Sequence, residues 1–407
     1  IVVATTTYDD TAATINTALP LTAEDGTNWP PPSFKYAVSF NAHLLFAGAF
    51  ETSGGYVTPK NNRLWWTPPL GASDVGDNER VPTGYFLDLD TYITGMAGPI
   101  QGAVYVFGFR SIYKILPTGQ PGANAFVAIP VRSDVGCIRQ QTICMADDEG
   151  GNPCIYWLSH RGPYRLGPNG IQYLGNDIED LWALGTILGT GRLQFHGVAH
   201  TDKHQVWWWI PATGQEPVPT LRIVFDTRFG HTVGNEILGG WAVHNGPSAA
   251  AACSCLFAVS VGATMSRTLK PYIGQATANR IWRCDTLFTD AGTTYQSYVQ
   301  TKPYAPQGLD RLASVTDPII IGTAGGSTGD VTITVTPIGD FGLTTTDAGT
   351  AVLPFNLAEP LVIRRVEGFQ AAGLGVVAFR IGDAAAVENT WTIDALIATV
   401  HPQDRRA

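Results

Sequence analysis

Five runs of aromatic and bulky apolar residues recur between Tyr36 and Phe257. They are Leu64-Trp65-Trp66, Val104-Tyr105-Val106-Phe107, Ile155-Tyr156-Trp157, Val206-Trp207-Trp208-Trp209 and Cys255-Leu256-Phe257. Each lies in a hairpin, and successive runs are roughly 40 to 50 residues apart, the period at which four-stranded propeller blades repeat. Such recurrence marks a scaffold before it marks an enzyme.

The segments around these runs alternate as short strands broken by turn residues. Val38 to Phe46 turns at Asn41-Ala42-His43, and Arg63-Leu64-Trp65-Trp66 is followed by a polar loop over Gly71 to Pro82. Ile93 to Ile115 gives further strands. Cys137 to Leu174 reads as a meander of four strands, with a turn at Asp147 to Pro153. A fourth unit runs from Leu193 to Val243 and a fifth from Cys253 to Thr301, turning at Asp290-Ala291-Gly292. Asn176 to Trp182 is the best helix start, with Asn176 as N-cap and Glu179 three residues on.

Residues 1–35 read as an N-terminal arm with a closing strand, stiffened by Trp29-Pro30-Pro31-Pro32. Beyond Thr301 aromatics become scarce, and Val331-Thr332-Ile333-Thr334-Val335 alternates cleanly. The expected fold is all-β: a β-propeller of five to seven blades over 36–304, then a small β-sandwich-like domain over 305–407.

Only 14% of residues are charged, against about 25% in an ordinary domain. A surface so short of charge implies burial against other subunits. The net charge of −9 with no cluster of Lys and Arg argues against non-specific nucleic-acid binding. No apolar run suits a membrane span; Pro247 to Thr264 is too short, rich in Ala and Ser, and broken by Gly262. The chain starts at Ile1 with no basic start before an apolar run, so targeting is not legible. The cysteines, Cys137, Cys144, Cys154, Cys253, Cys255 and Cys284, include no CxxC pair and read as free buried thiols.

Three histidines, His196, His200 and His204, carry helical metal-site spacing, but Phe195 to Ala199 alternates as a strand and Thr201-Asp202-Lys203 is a turn. They read as surface or interface histidines. Asp88 with Asp90, Asp147 with Asp148, and Asp177 with Glu179 and Asp180 are paired carboxylates of the kind a glycosidase needs. A turn suits Asp147 and Asp148, and a helix's first turn suits Asp177 to Asp180. No nucleophile elbow, phosphate loop or zinc-protease motif occurs. The Trp-rich strands could stack sugars, but aromatic recurrence at blade spacing reads as the packed interior of the blades. The reading therefore assigns no catalytic, cofactor or metal residue and expects no enzyme.

Four passages, taken in order, are similar to the β-propeller virion proteins of tailed bacteriophages that form a tail hub or nozzle of the tail tubular protein B type. Phe46-Ala47-Gly48 with Asn62-Arg63-Leu64-Trp65-Trp66-Thr67 resembles the family's opening blade. Gly102 to Phe107 leading to Ser111-Ile112-Tyr113-Lys114-Ile115 is the second. The third runs from Gly136-Cys137 through Asp147 to Gly151, Ile155-Tyr156-Trp157-Leu158-Ser159 and Gly162-Pro163-Tyr164-Arg165 to Asn176-Asp177-Ile178-Glu179. The fourth is Gly274 to Ile281, Asp285, Asp290 to Gly292 and the exit to Thr301-Lys302.

The resemblance implies a virion tail protein assembled in the host cytoplasm, with no catalytic residue to carry over. It implies a homo-oligomeric ring, hexameric in nozzles, that lines a DNA ejection conduit and holds neighbouring tail proteins such as adaptor and fibres. An acidic or neutral lumen would let viral DNA slide without specific binding. The alternative is a host-surface glycan-binding or depolymerising propeller of a tail fibre or tailspike.

Overall fold

The computed structural model describes residues 28–29, 34–53, 56–69, 81–82, 84–183, 194–211, 218–233, 236–244, 250–260, 267–275, 280–284, 298–301, 305, 312–325, 330–339, 344–345, 348–353, 362–369, 371–374, 376–383 and 390–403. The arm over 1–27, the link at 30–33, most of the polar loop at 71–80 and the turn at 290–292 lie outside them. The chain divides into two compact units, Ile1–Asn245 with Ala249–Arg283, and Gly246–Ser248 with Cys284–Ala407.

The first unit is a β-propeller with five blades among the described residues. Blade 1 is Tyr36–Phe40, His43–Ser53, Tyr56–Trp66 and Phe86–Asp88; blade 2 is Ile93–Ile100, Ala103–Gly108, Ile112–Pro117 and Phe126–Arg132. Blade 3 is Cys144–Asp147, Pro153–Ser159, Gly162–Gly167 and Gly170–Tyr173. Its outer edge is extended by the hairpin His231–Val233 and Glu236–Leu238. Blade 4 is His196–His200, Gln205–Ile210, Leu221–Asp226 and Trp241–His244, and blade 5 is Ala251–Ser260, Arg267–Gln275 and Ile281–Arg283.

The unbroken apolar runs follow from this stacking. Strand side chains alternate between two faces, and in an inner blade both faces are covered, so polar residues have no place between the aromatics. Tyr156 and Leu158 enter the layer with Val206, Trp208 and Phe225 of blade 4. Ile155 and Trp157 enter the layer with Tyr105 and Phe107 of blade 2. A third layer joins Leu64 and Trp66 to Met96 and Val106. Burying each large side chain contributes roughly 1.5–3 kcal/mol.

Polar atoms pin the same layers. The Trp208 indole N–H donates to the Thr142 carbonyl at 2.8 Å, and that of Trp157 to the Gly136 carbonyl at 2.9 Å. The fifth run departs from the pattern. Phe257 is 63% exposed, because Cys253, Cys255 and Phe257 share a strand face opposite to Ser254, whose hydroxyl meets His196 of blade 4 at 2.8 Å.

Glu179–Ala183 is the one α-helix among the described residues. Asn176 is not its N-cap: Asn176–Ile178 forms a 3-10 turn capped by the Gly175 backbone. The Asp177 carboxylate accepts instead from the Gly239 N–H.

In the second unit, Leu312–Gly325 pairs with Val362–Arg365, Ala371–Leu374 and Thr390–Gln403, while Val331–Gly339 lies in a second sheet with Val377–Asp383 and Gly349–Leu353. Val315 and Ile320 of one sheet share a core with Val331, Ile333, Val335, Phe379 and Ile381 of the other. The two sheets make the expected β-sandwich, with the threonines of Val331–Val335 turned outward, but the unit takes in the chain from Cys284 rather than from 305, because Tyr298–Gln300, expected in the fifth blade, pairs with Val377–Asp383.

Candidate functional site

The histidines belong to a strand and a turn. His196 and His200 are buried within the propeller, which corrects their reading as surface or interface histidines. His196 Nδ1 meets the Ser254 hydroxyl at 2.8 Å and Nε2 meets the Ala251 carbonyl at 3.0 Å, joining blades 4 and 5. Its ring stacks on Trp209, and burial lowers its pKa to about 4. His204 is exposed, in the left-handed conformation after the turn. No group of three His, Cys, Asp or Glu among the described residues is arranged to hold a metal.

The carboxylate pairs are held by structure. Asp88 is gripped by Arg63 at 2.6 and 2.8 Å, and Asp90 accepts from the Tyr113 hydroxyl. Asp148 accepts from the Gly150 and Asn152 backbone N–H groups at 2.9 and 2.8 Å, as a turn residue does. Glu179 differs, for it lines an open cleft of about 410 Å³ with His160, Arg161, Tyr164, Tyr173 and Trp182.

The cleft grows from local sequence. The tight turn between two strands of blade 3 places His160 and Arg161 at its rim, and it needs Gly162 at φ +126, where a Cβ would meet the Tyr173 ring at 3.0 Å. Tyr164 and Tyr173 face each other across neighbouring strands at 5.0 Å between centroids, and Tyr164 stacks on Trp157 at 5.9 Å. The short helix brings Glu179 and Trp182. The Trp182 N–H donates to the Ser159 carbonyl at 3.4 Å, which ties helix to turn.

Charge is uneven around this cleft. Asp134 accepts from Arg132 at 2.7 Å and from Arg161 at 3.1 Å, so one carboxylate serves two guanidiniums. Its hydrogen bond from Arg132, foremost, holds its pKa below the usual carboxylate value. His160 stacks on Phe109 at 5.4 Å, and burial first, then Arg110 and Arg161, lowers its proton affinity. Chemically, the lining combines the part-exposed aromatic rings of Tyr173 and Trp182 with one carboxylate, Glu179, one guanidinium, Arg161, and the His160 imidazole. Sequence reasoning missed His160, Arg161 and Trp182; the charged pair in a two-residue turn between aromatic strands was the available signal.

Apolar surface lies elsewhere. Val127, Ile129 and Val131 are exposed at alternate positions of blade 2's outermost strand, and Ile363 and Ile397 are exposed in the second unit. Of the thiols, Cys137, Cys144, Cys154 and Cys284 are buried as expected, whereas Cys253 and Cys255 are exposed. No described helix is long and apolar enough to cross a membrane.

No protein-family model and no curated protein matches the chain. Among solved structures it aligns with a family 43 glycoside hydrolase, an arabinoxylan arabinofuranohydrolase from Bacillus subtilis. That match has 11% identity and a TM-score of 0.23 and covers 90% of this chain and 95% of that one. An exo-beta-1,3-galactanase from Phanerochaete chrysosporium aligns at 9% identity and TM-score 0.27, covering 93% and 98%. A fructofuranosidase from Schwanniomyces occidentalis aligns at 8% and 0.20, covering 88% and 78%. The likeness is distant and is to carbohydrate-active enzymes. These neighbours are enzymes, against the expectation of no enzyme, and at such identity and TM-score the likeness gives this chain neither an activity nor a catalytic residue.

Proposed function

We propose that this chain is a bacteriophage tail protein whose propeller recognises a glycan of the host surface. The observation that carries the reading is the blade 3 cleft, where Tyr164, Tyr173 and Trp182 stand beside Glu179, His160 and Arg161. Aromatic faces take the apolar side of a sugar ring while charged groups bond its hydroxyls, and convergent polar groups in an otherwise aromatic cleft are what orient such a ligand. The tail assignment rests on the ordered blade passages. Printing bacterial surface polysaccharides on an array and probing them with the full chain and with Trp182→Ala tests it. Selective binding that Trp182→Ala abolishes is expected, and a blank array for the folded chain refutes it.

A second reading, a ring-forming hub or nozzle around the DNA conduit, is favoured by the exposed row Val127, Ile129 and Val131 on a charge-poor chain. Sedimentation of the chain at rising concentration distinguishes the two. A closed oligomer that Ile129→Ser dissociates supports the ring, and a monomer throughout removes it.

A further inference from the structure

We infer that the blade 3 cleft selects an acidic glycan, one carrying carboxylates such as a polyuronate, with the acid group bound at Arg161 and Arg110. The inference rests on the glycan-binding reading above. It starts from a local imbalance: the chain carries a net charge of −9, yet this end of the cleft is cationic. Arg132 holds Asp134 through two hydrogen bonds, at 2.7 and 3.3 Å, and leaves Arg161 a single contact at 3.1 Å to the same carboxylate. A guanidinium presents five donors in a fork shaped for a carboxylate, so most of the Arg161 fork remains to be used. Its side chain is 54% exposed at the rim. Arg110, also exposed, stands just outside the cleft lining and directly follows Phe109, whose ring stacks on His160 at 5.4 Å.

The aromatic residues then give direction. Tyr164 is buried beneath the cleft, stacked on Trp157, while Tyr173 and Trp182 are part-exposed and Trp182 is tied by its N–H to Ser159, so a sugar ring would lie against Tyr173 and Trp182 in a cleft that Arg161 and Glu179 also line. The Glu179 carboxylate would accept hydrogen bonds from sugar hydroxyls and disfavour a second acid group beside it. A neutral sugar would leave the remaining Arg161 donors without an anionic acceptor from the ligand, and a chain of phosphates would lose the aromatic stacking that holds a pyranose ring. The pattern fits a hexuronate better than either.

Titration calorimetry with the full chain tests this, using tetragalacturonate, its methyl ester, maltotetraose and a short oligothymidylate as probes. The uronate is expected to bind best. Esterification, Arg161→Gln or Arg110→Gln should each weaken it by about tenfold, the scale of one lost charge-assisted hydrogen bond, and added salt should weaken it further. Circular dichroism confirms that the variants fold. Equal binding of ester and acid, tighter binding of maltotetraose, or Arg161→Gln and Arg110→Gln both without effect would overturn the acid selectivity while leaving glycan recognition standing. Preference for oligothymidylate would replace it with phosphate recognition. Absence of binding by all three saccharides would sink both readings.

Discussion

Replacing Trp208 isolates what the aromatic runs do for the fold. The side chain is fully buried in the layer between blades 3 and 4, and its N–H is bonded to the Thr142 carbonyl at 2.8 Å. Trp208→Ala removes the indole and leaves a cavity, which costs about 3–5 kcal/mol. Trp208→Phe keeps much of the apolar volume and orphans the carbonyl, so its cost should be about 1–3 kcal/mol. Phe257→Ala is the control from the fifth run; at 63% exposure it should stay within about 0.5 kcal/mol of the parent. Urea unfolding followed by fluorescence reads all three. With a slope of about 3 kcal/mol per molar, the alanine variant at Trp208 loses about 1–2 M from its midpoint. If Trp208→Ala shifts the midpoint no further than Phe257→Ala, the aromatic runs are not the packed interior between blades.

Acid should act through His196. Its folded pKa of about 4 lies below the unfolded value of about 6.5, so the unfolded chain binds the extra proton and stability falls as pH drops through that window. The loss at full protonation is about 3 kcal/mol, and His196→Gln should flatten the stability profile between those pH values by that much. Gly162→Ala should cost about 1–3 kcal/mol, since φ is +126 and the added methyl meets the Tyr173 ring; thermal melting of the variant checks it. Ellman's reagent should titrate Cys253 and Cys255 in the native chain and reach Cys137, Cys144, Cys154 and Cys284 only on unfolding. Burial drives Cys137's thiol pKa up to about 12, so its thiolate is scarce as well as hidden.

Blades 1 to 4 were readable because their strands are buried on both faces, and two-sided burial writes itself as an unbroken apolar run. The same run at Cys255-Leu256-Phe257 misled, since nothing in its local sequence records that the face bearing Phe257 is uncovered. The histidine spacing was correctly denied a helix, but the burial of His196 involves blade 5, more than fifty residues away. The cleft was invisible for a related reason. Glu179 suits a helix's first turn whatever else it does, and only the folded meander sets it beside His160 and Tyr164.

Hydrogen–deuterium exchange with and without a polyuronate fragment is the most direct test of recognition at blade 3. The backbone from Ser159 to Trp182 should gain protection when ligand is added, with the same segment unchanged in Trp182→Ala. Protection confined to another part of the chain, or no change anywhere at saturating ligand, would contradict it.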